Sequence, residues 1–501
     1  MLFIFVILLT LFNTGNAMNQ DIIRHQALAG TFYPADKGEL QQMINAFIGE
    51  ANPNISAIRD IRGIVAPHAG YIFSGATAAY PYKAIQNEKY DLAIIIAPSH
   101  QKYFNGVSVY NGDYYETPLG KIKVDKDFAA LLPDNQSVVL SDLAHQYPAG
   151  NTDKAEHSLE VQLPFLQTVQ PNLPIVPIII GSQDFATNHR LVRAIYEAIK
   201  KSNKRVLLIA SSDLSHFHNE STAKTLDLSV VNSFDAYDYF KLELNCLAGE
   251  WEACGAAPIS VLMQVCELLG SDKAVSLHQS TSADTKFIKG DKSRVVGYFG
   301  GVVGNEILAE AKHSELLPEF TELDRKNILA LARQSVENNI NKSSGKDIEL
   351  GSVFNSEFPA FVTINKRDSS GEYDLRACMG HIIGSQDLKN EIVSTATMAA
   401  TEDYRFGPIL PNELSELKYD VTVLSRFKKI LDFNQIQIGK HGIYIRRGRN
   451  SGLFLPQVAT ENHWNLTQYL QNICFKAQLP ANAYLDPDAE IYIFEAVIVE
   501  E

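Results

Sequence analysis

The stretch LAIIIAPSH, residues 92–100, decides the fold of the first part of the chain. Its apolar run has the length of a fully buried strand, and a polar group that ends in His100 follows at once. Continuous apolar runs of this kind are typical of parallel sheets, whose two faces are both covered by helices. The stretch therefore predicts a buried central strand with a functional side chain just beyond its carboxyl end.

The same pattern occurs three more times. The runs RGIVA (62–66), IVPIII (175–180) and VLLIA (206–210) end in PHAG, GS and SSDLSH, respectively. Helical stretches separate the runs, which indicates an α/β domain built on a largely parallel sheet. Because ligands bind at the carboxyl ends of strands in open α/β sheets, these polar groups predict one shared site.

Composition narrows the class of protein. The 501 residues, of which 46% are hydrophobic and 20% charged, are typical of a folded chain with two domains. The net charge of -14 argues against a nucleic-acid partner, which would need a basic face. The five cysteines form no CxxC pair, so neither a zinc ribbon nor an iron–sulfur site is expected.

The pattern changes at residue 322. An amphipathic helix is predicted at 323–340, and strand-like runs at 360–364 and 421–424 alternate with helices, which indicates an α+β domain. The preceding residues are polar and helix-prone, as in a connector. The chain is thus divided into a first domain, a linker and a second domain, at residues 22–304, 305–321 and 322–501.

The first residues are treated separately. Residues 2–12 are apolar, and Gly15 and Ala17 supply small side chains, so residues 1–17 are interpreted as a signal peptide. The run is too short to span a membrane, and no membrane span is expected in the mature chain. Export to the periplasm or envelope is therefore favoured. The alternative is that Met18 is the true start, because no basic residue precedes the apolar run, and the protein is then cytoplasmic.

His68 and His100 are candidate metal ligands, because each follows an apolar strand directly. Two neutral imidazoles from neighbouring strand ends can face one cation, the usual arrangement for zinc, copper or iron. Cys254 is the best candidate for a third ligand, because it precedes an apolar helix at 259–269 whose dipole favours a thiolate. The structural alternative is that the histidines satisfy turns and strand ends and that Cys254 packs in the core.

His216 and Asp213 are candidates for proton transfer. A carboxylate three residues before an imidazole can orient it and make it a general acid or base. The alternative is a helix N-cap at Ser212 or Asp213, with His216 merely exposed.

Three further residues are assigned to the wall of the same cleft. Glu156 and His157 open a stretch, 156–166, that predicts an amphipathic helix, in which Glu156 would suit the helix dipole. His157 has polar neighbours that a core would not accept unpaired, and Tyr71 could add a phenol to the pocket.

Taken together, the motifs of this region resemble the Memo family. They occur in the family's order and cover residues 24–303: AGTFYP (29–34), APHAGY (66–71), APSH (97–100), TPLG (117–120), EHSLE (156–160), SSDLSH (211–216) and VVGY (295–298). The resemblance implies a fold similar to the class III extradiol dioxygenases, which hold non-haem iron with two histidines and a carboxylate.

The resemblance also implies roles for particular residues. It places His68, His100 and Cys254 at the metal-ligand positions, with iron or copper as the ion, and His216 and Asp213 at the acid/base positions. Cys254 stands where the dioxygenases carry a carboxylate, so their ring-cleaving reaction does not carry over to this chain. A thiolate is a softer ligand that favours copper and redox chemistry.

The second domain offers a thiol beside a guanidinium. Arg376 could lower the pKa of Cys378, and His381 or His441 could act as its base if the fold brings one close. The favoured alternative is that Cys378 packs inside a strand and that Arg376 pairs with an acid. Arg405 is predicted to form an ion pair.

These segments resemble the AMMECR family over residues 322–501. The matching motifs are LRACMG (375–380), AATEDYRF (399–406), GKHG (439–442) and LPQVA (455–459). Ala377 stands where the family usually has glycine, which puts a shared role of Arg376 and Cys378 in doubt. The two resemblances together imply the AmmeMemoRadiSam system, whose further member, a radical SAM enzyme, is the expected partner.

The sequence therefore predicts a metal-dependent redox protein that acts on a small-molecule or peptide substrate. The alternative is a non-catalytic scaffold that binds a peptide or partner loop, with a vestigial or structural metal site. A hydrolase that uses His216 and Asp213 is disfavoured, because the chain has no Gly-x-Ser-x-Gly motif.

Overall fold

The computed structural model describes residues 21–134, 136–147, 152–287, 289–307, 316–345, 347–384 and 386–501. The predicted signal peptide, 1–17, lies outside these residues. Among the described residues, no helix combines the length and the apolar character that a membrane span requires.

The first domain contains twelve strands and eight α-helices in its described part. The strands are β1 (Ile23–Arg24), β2 (Ile58–Ala66), β3 (Leu92–Pro98), β4 (Val107–Val109), β5 (Tyr114–Thr117), β6 (Gly120–Lys123), β7 (Val138–Leu140), β8 (Ile175–Ile180), β9 (Val206–Ser211), β10 (His216–His218), β11 (Lys273–Thr281) and β12 (Val295–Glu306). The helices are α1 (Lys37–Glu50), α2 (Tyr71–Ala84), α3 (Lys126–Ala129), α4 (Leu163–Val169), α5 (Phe185–Ser202), α6 (Glu220–Asp235), α7 (Tyr239–Ala248) and α8 (Ala256–Leu268).

A nine-stranded sheet forms the centre of this domain, in the order β10-β12-β2-β9-β3-β8-β4-β7, with β11 beside β12. The neighbours β2, β9, β3 and β8 run parallel, as predicted. Strand β3 is buried on both faces, since Ile94 and Ile96 pack in one core cluster and Ala93 and Ile95 in the other. The α/β prediction is confirmed.

The order of the parallel strands brings the predicted site together. Strand β9 lies between β2 and β3, with Ala66 opposite Ser211 and Ile96 opposite Ala210. Residues that follow these three strands therefore meet at one edge of the sheet.

The second domain is α+β, also as predicted. Its strands are β13 (Ala360–Arg367), β14 (Tyr373–Gly380), β15 (Leu417–Leu424), β16 (Lys428–Ile430), β17 (His441–Arg447), β18 (Asn450–Phe454) and β19 (Glu490–Glu500). Its helices are α9 (Glu322–Asn341), α10 (Leu388–Thr401), α11 (Pro456–Glu461) and α12 (Leu466–Lys476). The antiparallel sheet has the order β14-β13-β15-β19-β17-β18, with β16 on β19.

The two domains continue beyond their predicted boundaries. Strand β12 extends to Glu306, so the first residues of the predicted linker, 305–321, belong to the first domain. Leu317 and Phe320, near its end, pack in the core of the second domain. The apolar side chains at these positions explain the difference from the prediction.

The domains also pack directly on each other. The Phe240 ring of α7 lies 4.8 Å from the ring of Phe427 and 5.0 Å from that of Tyr492, measured between ring centroids. One continuous apolar cluster therefore extends from α5, α7 and α8 into the second sheet.

Candidate metal centre

Three histidines converge at the carboxyl edge of the first sheet. His68 follows β2, His100 follows β3, and His157 precedes the 3₁₀ turn Glu160–Gln162. One ring nitrogen of each lies within 4.8 Å of the others. The centroid of the His157 ring is 4.5 Å from that of His100 and 5.3 Å from that of His68. This spacing directs three nitrogen atoms toward one point.

Hydrogen bonds fix which nitrogen of His68 is free to bind a metal. The Ser211 hydroxyl donates its single proton to the Ser158 carbonyl at 2.6 Å and accepts from Gln162 Nε2 at 2.8 Å. Gln162 Nε2 also faces the Pro67 carbonyl at 3.0 Å, which fixes the orientation of the amide because a carbonyl only accepts. Nδ1 of His68, 2.9 Å from Ser211 Oγ, must therefore donate, which leaves the lone pair on Nε2.

Glu156 orients His100 in a similar way. Its carboxylate accepts the His100 backbone N–H at 2.5 Å and faces Nδ1 of the same residue at 3.0 Å. Burial alone would raise the pKa of Glu156, but the hydrogen bonds and the nearby imidazoles lower it to about 2. An ionised Glu156 holds the proton on Nδ1 and leaves Nε2 of His100 available. The predicted role of Glu156 in a helix first turn is wrong, because α4 begins only at Leu163.

Two of the imidazoles, His68 and His157, are neutral at physiological pH. Burial lowers the pKa of His68 well below its ordinary value, and His157 and His100 lower it further. Burial likewise lowers the pKa of His157, to about 4. Neutral imidazole is the form that coordinates transition metals, so burial has prepared these side chains as ligands.

Cys254 lies beside the cluster, two residues before the first residue of α8. Its sulfur is 3.2 Å from His68 Nε2, and the Asp213 backbone N–H points to it at 3.3 Å. The prediction that the helix favours a thiolate is wrong, because burial and then the Asp213 carboxylate raise the pKa of Cys254. The thiol is protonated until a cation or base takes its proton.

Asp213 contacts His68 and not His216 in the described structure. Its carboxylate accepts the His68 backbone N–H at 2.8 Å, and the other oxygen lies 3.9 Å from His68 Nε2. Burial raises the pKa of Asp213 to about 7, although that hydrogen bond opposes the change. His216 instead donates its backbone N–H to Glu252 at 3.2 Å, and burial lowers its pKa. The sequence did not single out Glu252.

The cleft in front of the cluster has a volume of about 480 Å³. His157 and Asp213 line this cleft, and Lys289 and Arg294 add cationic side chains to its lining. Tyr71, predicted to lie in this pocket, is buried instead, and its hydroxyl donates to the Val161 carbonyl at 2.7 Å. It packs in the core because it begins α2 on the face that points away from the cleft.

The Arg376–Cys378 element of the second domain forms the edge strand β14. Arg376 makes two hydrogen bonds of 3.0 Å with Glu413, so it pairs with an acid. Asp403 accepts the Cys378 backbone N–H at 2.9 Å, and Arg405 donates to the Cys378 carbonyl at 2.9 Å. The Asp403–Arg405 pair thus satisfies the open edge of the sheet.

The predicted bases are not beside Cys378. His441 begins β17, which three strands separate from β14, so about 19 Å lies between these strands at the ordinary strand spacing. His381 Nδ1 faces the buried Glu391 at 2.6 Å. The Cys378 sulfur accepts a hydrogen bond from Thr363 at 3.3 Å. This arrangement is that of a packed strand residue.

Sequence reasoning missed the residues that position the ligands. Ser158, Gln162 and Ser211 act on His68 through hydrogen bonds between segments far apart in sequence. Ser211 ends β9 in the SSDLSH motif, and Ser158 lies in the EHSLE motif, so both were visible as members of polar groups at the predicted site. Gln162 carried no such signal.

Comparison with known proteins agrees with the division into two domains. The family model for Memo-like proteins matches residues 24–302, and that for AMMECR1 matches residues 329–499. A MEMO1 family protein of Methanobrevibacter smithii is 36% identical over 290 residues, which are 56% of this chain and 99% of that relative. One from Aquifex aeolicus is 32% identical over 284 residues, 56% of this chain and 98% of that relative.

A solved structure of an uncharacterized protein from Pyrococcus horikoshii is 30% identical to this chain in sequence, with a TM-score of 0.32. The match covers 36% of this chain and 91% of the chain in that structure. The family match covers more than half of the chain, and the archaeal and bacterial relatives are matched over nearly their whole length. The chain therefore belongs to the Memo family, with an AMMECR1 domain fused after its Memo domain.

Proposed function

We propose that the Memo domain binds iron or copper at the histidine cluster and catalyses redox chemistry on a substrate in the adjoining cleft. The observation that carries this proposal is the convergence of three imidazoles, in two of which a hydrogen bond at Nδ1 leaves Nε2 available to a metal. His68 Nε2 meets the Cys254 thiol at 3.2 Å, and a bound cation would take the lone pair of that nitrogen, and the sulfur as well once the thiol proton has left.

The donor set fits a transition metal. His68 and His100 supply two nitrogens, and either His157 or the Cys254 sulfur completes a three-ligand site. Hard cations such as calcium prefer oxygen ligands, whereas imidazole and thiolate suit iron and copper. When bound, such an ion supplies one-electron redox chemistry and activation of oxygen.

The remaining groups of the cleft handle protons. Asp213, with a pKa of about 7, exchanges a proton near neutral pH. His216 is close enough to His68 for its charge to influence the pKa of that residue. Both residues can hold or deliver a proton at the edge of the cleft.

The test is metal analysis of protein purified without oxygen, beside the variants His68→Ala, His157→Ala and Cys254→Ser. We expect near-stoichiometric iron or copper in the parent protein and its loss in His68→Ala. The control His278→Ala changes a half-buried histidine outside the cluster and should keep its metal. Equal melting temperatures would show that the variants are folded. Full metal retention in His68→Ala contradicts the proposal.

The same samples identify the third ligand. If His157 coordinates, its alanine variant loses the metal and Cys254→Ser keeps it. If Cys254 coordinates copper, the parent protein shows a thiolate-to-copper absorption band that Cys254→Ser lacks. A protein that holds no metal after reconstitution would support the alternative function, a scaffold that receives a peptide or partner loop in the cleft.

We also propose that the fused protein acts in one pathway with a radical SAM enzyme. Fusion of Memo and AMMECR1 domains in one chain supports a shared substrate for the two domains. Co-purification of the full chain with the radical SAM enzyme of the same organism, with and without S-adenosylmethionine, tests this partner. No retention under either condition contradicts it.

A further inference from the structure

A second, larger cavity of the Memo domain lies beside the cleft. It has a volume of about 890 Å³ and lies along the junction of α1 and α2, with the end of β11 and residues 284–287 along its side. Its apolar lining consists mainly of Met43, Ala46, Phe47, Ile72, Phe73 and Phe287. The cavity is thus nearly twice the size of the cleft that faces the histidines.

The aromatic side chains along this cavity are fixed in place. The rings of Phe47 and Phe287 meet edge to face with centroids 5.9 Å apart, although Phe287 is 51% exposed. Tyr80 stacks on His278 at 4.3 Å between ring centroids. Large apolar surfaces that are open to solvent yet ordered are typical of ligand-binding grooves.

The cavity adjoins the cleft. Phe73, in the first turn of α2, lines both spaces. Gly70, directly before α2, lines the cleft, and Ile72 lines the cavity. The first turn of α2 is therefore the wall that the two spaces share, and it begins three residues after His68. A molecule that lies across Phe73 would reach both the cavity and the part of the cleft that His157 lines.

Several polar groups of the cavity wall are already paired, and the lining residues Glu39, Gln42 and Gln279 are exposed to solvent. Thr77 Oγ1, on the same side of α2, lies 2.6 Å from Ser280 Oγ and 3.1 Å from His278 Nδ1. Lys286 pairs with Glu50 at 2.6 Å. Within the described part of the chain, none of the buried side-chain polar atoms that lack a hydrogen bond belongs to the lining. A bound polypeptide would bring amide groups that need partners, whereas an aliphatic chain needs none.

We infer that this cavity holds the aliphatic part of an amphipathic small molecule whose polar end lies in the cleft. The reaction of that polar end rests on the proposed function, but the binding of the aliphatic part does not. The ligand is thus a linear or branched hydrocarbon chain with one polar head group. The aliphatic chain and the polar head group of the ligand would join beside Phe73, which lines both spaces.

The test uses the full chain in its metal-free form and the fluorescent probe 11-(dansylamino)undecanoic acid. We expect saturable binding that linear alcohols displace, with an affinity that rises about fourfold for each added methylene. The variants Ala46→Trp and Ala76→Trp fill the cavity from exposed positions on α1 and α2, and we expect each to weaken probe binding at least tenfold.

Asn45→Trp is the matched control, because Asn45 is exposed on α1 and does not line the cavity. It should bind the probe as the parent protein does. Affinity that does not change in both filled variants, or that does not depend on alcohol length, overturns the inference. Because the protein is metal-free, failure of the metal proposal leaves this result unaffected. Metal content of Ala76→Trp, measured separately, is expected to equal that of the parent.

Discussion

Two clusters of titratable side chains, one at the domain interface and one at the edge of the cleft, differ in the charge of the groups that face each other. At the domain interface, Lys429 Nζ lies 3.1 Å from a Glu490 carboxylate oxygen, so a cation faces an anion. In the cleft, His68, His100 and His157 face one another with groups of the same kind. Opposite charges that satisfy each other need no further component. Imidazole nitrogens do not compensate one another in this way, but a cation can bind between them.

The charges of the interface cluster pair with one another, although Asn188 Oδ1 and His189 Nδ1 beside them are buried without a hydrogen-bond partner among the described residues. Arg446 makes two hydrogen bonds of 3.0 Å to Glu490, and Lys429 also donates to Gln264 of α8 at 2.8 Å. Glu243 of α7 accepts from Asn188 at 2.8 Å. Burial opposes ionisation of Glu490, but Lys429 and Arg446 lower its pKa below the usual range. The comparison teaches that burial, perturbed pKa values and single unsatisfied atoms do not by themselves indicate function, whereas several metal-ligating side chains that converge without an opposite charge do.

The largest expected effect comes from breaking the matched cluster. Lys429→Met leaves Glu490 and Glu243 with less compensation inside the interface, and we expect the free energy of unfolding to fall by about 3–5 kcal/mol. Urea unfolding of the full chain, followed by circular dichroism, measures the change. The double variant Lys429→Met/Glu490→Gln removes both charges and should lose less. A single-variant loss below about 1 kcal/mol would show that the pair is not needed.

Changing the orientation of a proposed ligand should have a smaller effect and a different readout. Glu156→Gln keeps the size of the side chain but weakens its hold on the His100 proton, so we expect metal affinity to fall about 10–100-fold with little loss of stability. Competition with a chromophoric chelator measures the affinity. Glu116→Gln is the control, because Glu116 pairs with the exposed His25. Equal metal affinities for the two variants would contradict the proposed role of Glu156.

His189, a buried histidine at the domain interface, should make the free energy of unfolding depend on pH. Burial, and then Lys429, lowers the pKa of His189 to about 3, whereas an unfolded histidine titrates near 6.5. Between these values the unfolded state binds a proton that the folded state does not, so stability falls as pH falls. His189→Gln should reduce this slope by about 1.4 kcal/mol per pH unit between pH 4 and 5.5, and by about half of that at pH 6.5.

Urea midpoints at several pH values test this slope, with His25→Gln as the exposed control. The side chain of His25 is 66% exposed. A slope that is the same in His189→Gln and in the parent protein would show that His189 is protonated in the folded state.

The sequence predicted what depends on neighbours along the chain. The strands β3 and β8 and the helix α9 agree with prediction to within about one residue, because apolar runs and helical periodicity are local signals. The position of His157 depends on a segment without regular structure before Glu160, and no local pattern reveals which strand end it approaches. The prediction for Tyr71 was wrong for a similar reason. The orientation of the first turn of α2 decides whether its phenol faces the core or the cleft, and the sequence does not reveal that orientation.

The domain interface did carry a signal that the sequence analysis did not use. Ser260, Gln264 and Glu267 interrupt the apolar helix α8 at spacings of four and three residues, which place them on one face. That face meets the second domain, where Gln264 accepts from Lys429 and Glu267 from Arg426 at 2.6 Å. A polar stripe on an otherwise buried helix indicates a partner with matching charges.

The smallest expected loss of stability is that of a Cys378 variant. Cys378 lies beside a third cluster of charged groups, to which the same comparison applies. The charged groups beside Cys378, Asp403 and Arg405, pair with each other and with its backbone, so this cluster belongs with the matched interface and not with the cleft. Cys378→Ala removes one hydrogen bond from Thr363 and should cost about 0.5–1.5 kcal/mol, with metal content unchanged. Urea unfolding and metal analysis of the same sample measure both. A variant that folds normally but loses metal would move Cys378 into the class of unmatched, functional groups, because a packed strand residue has no route to the metal centre.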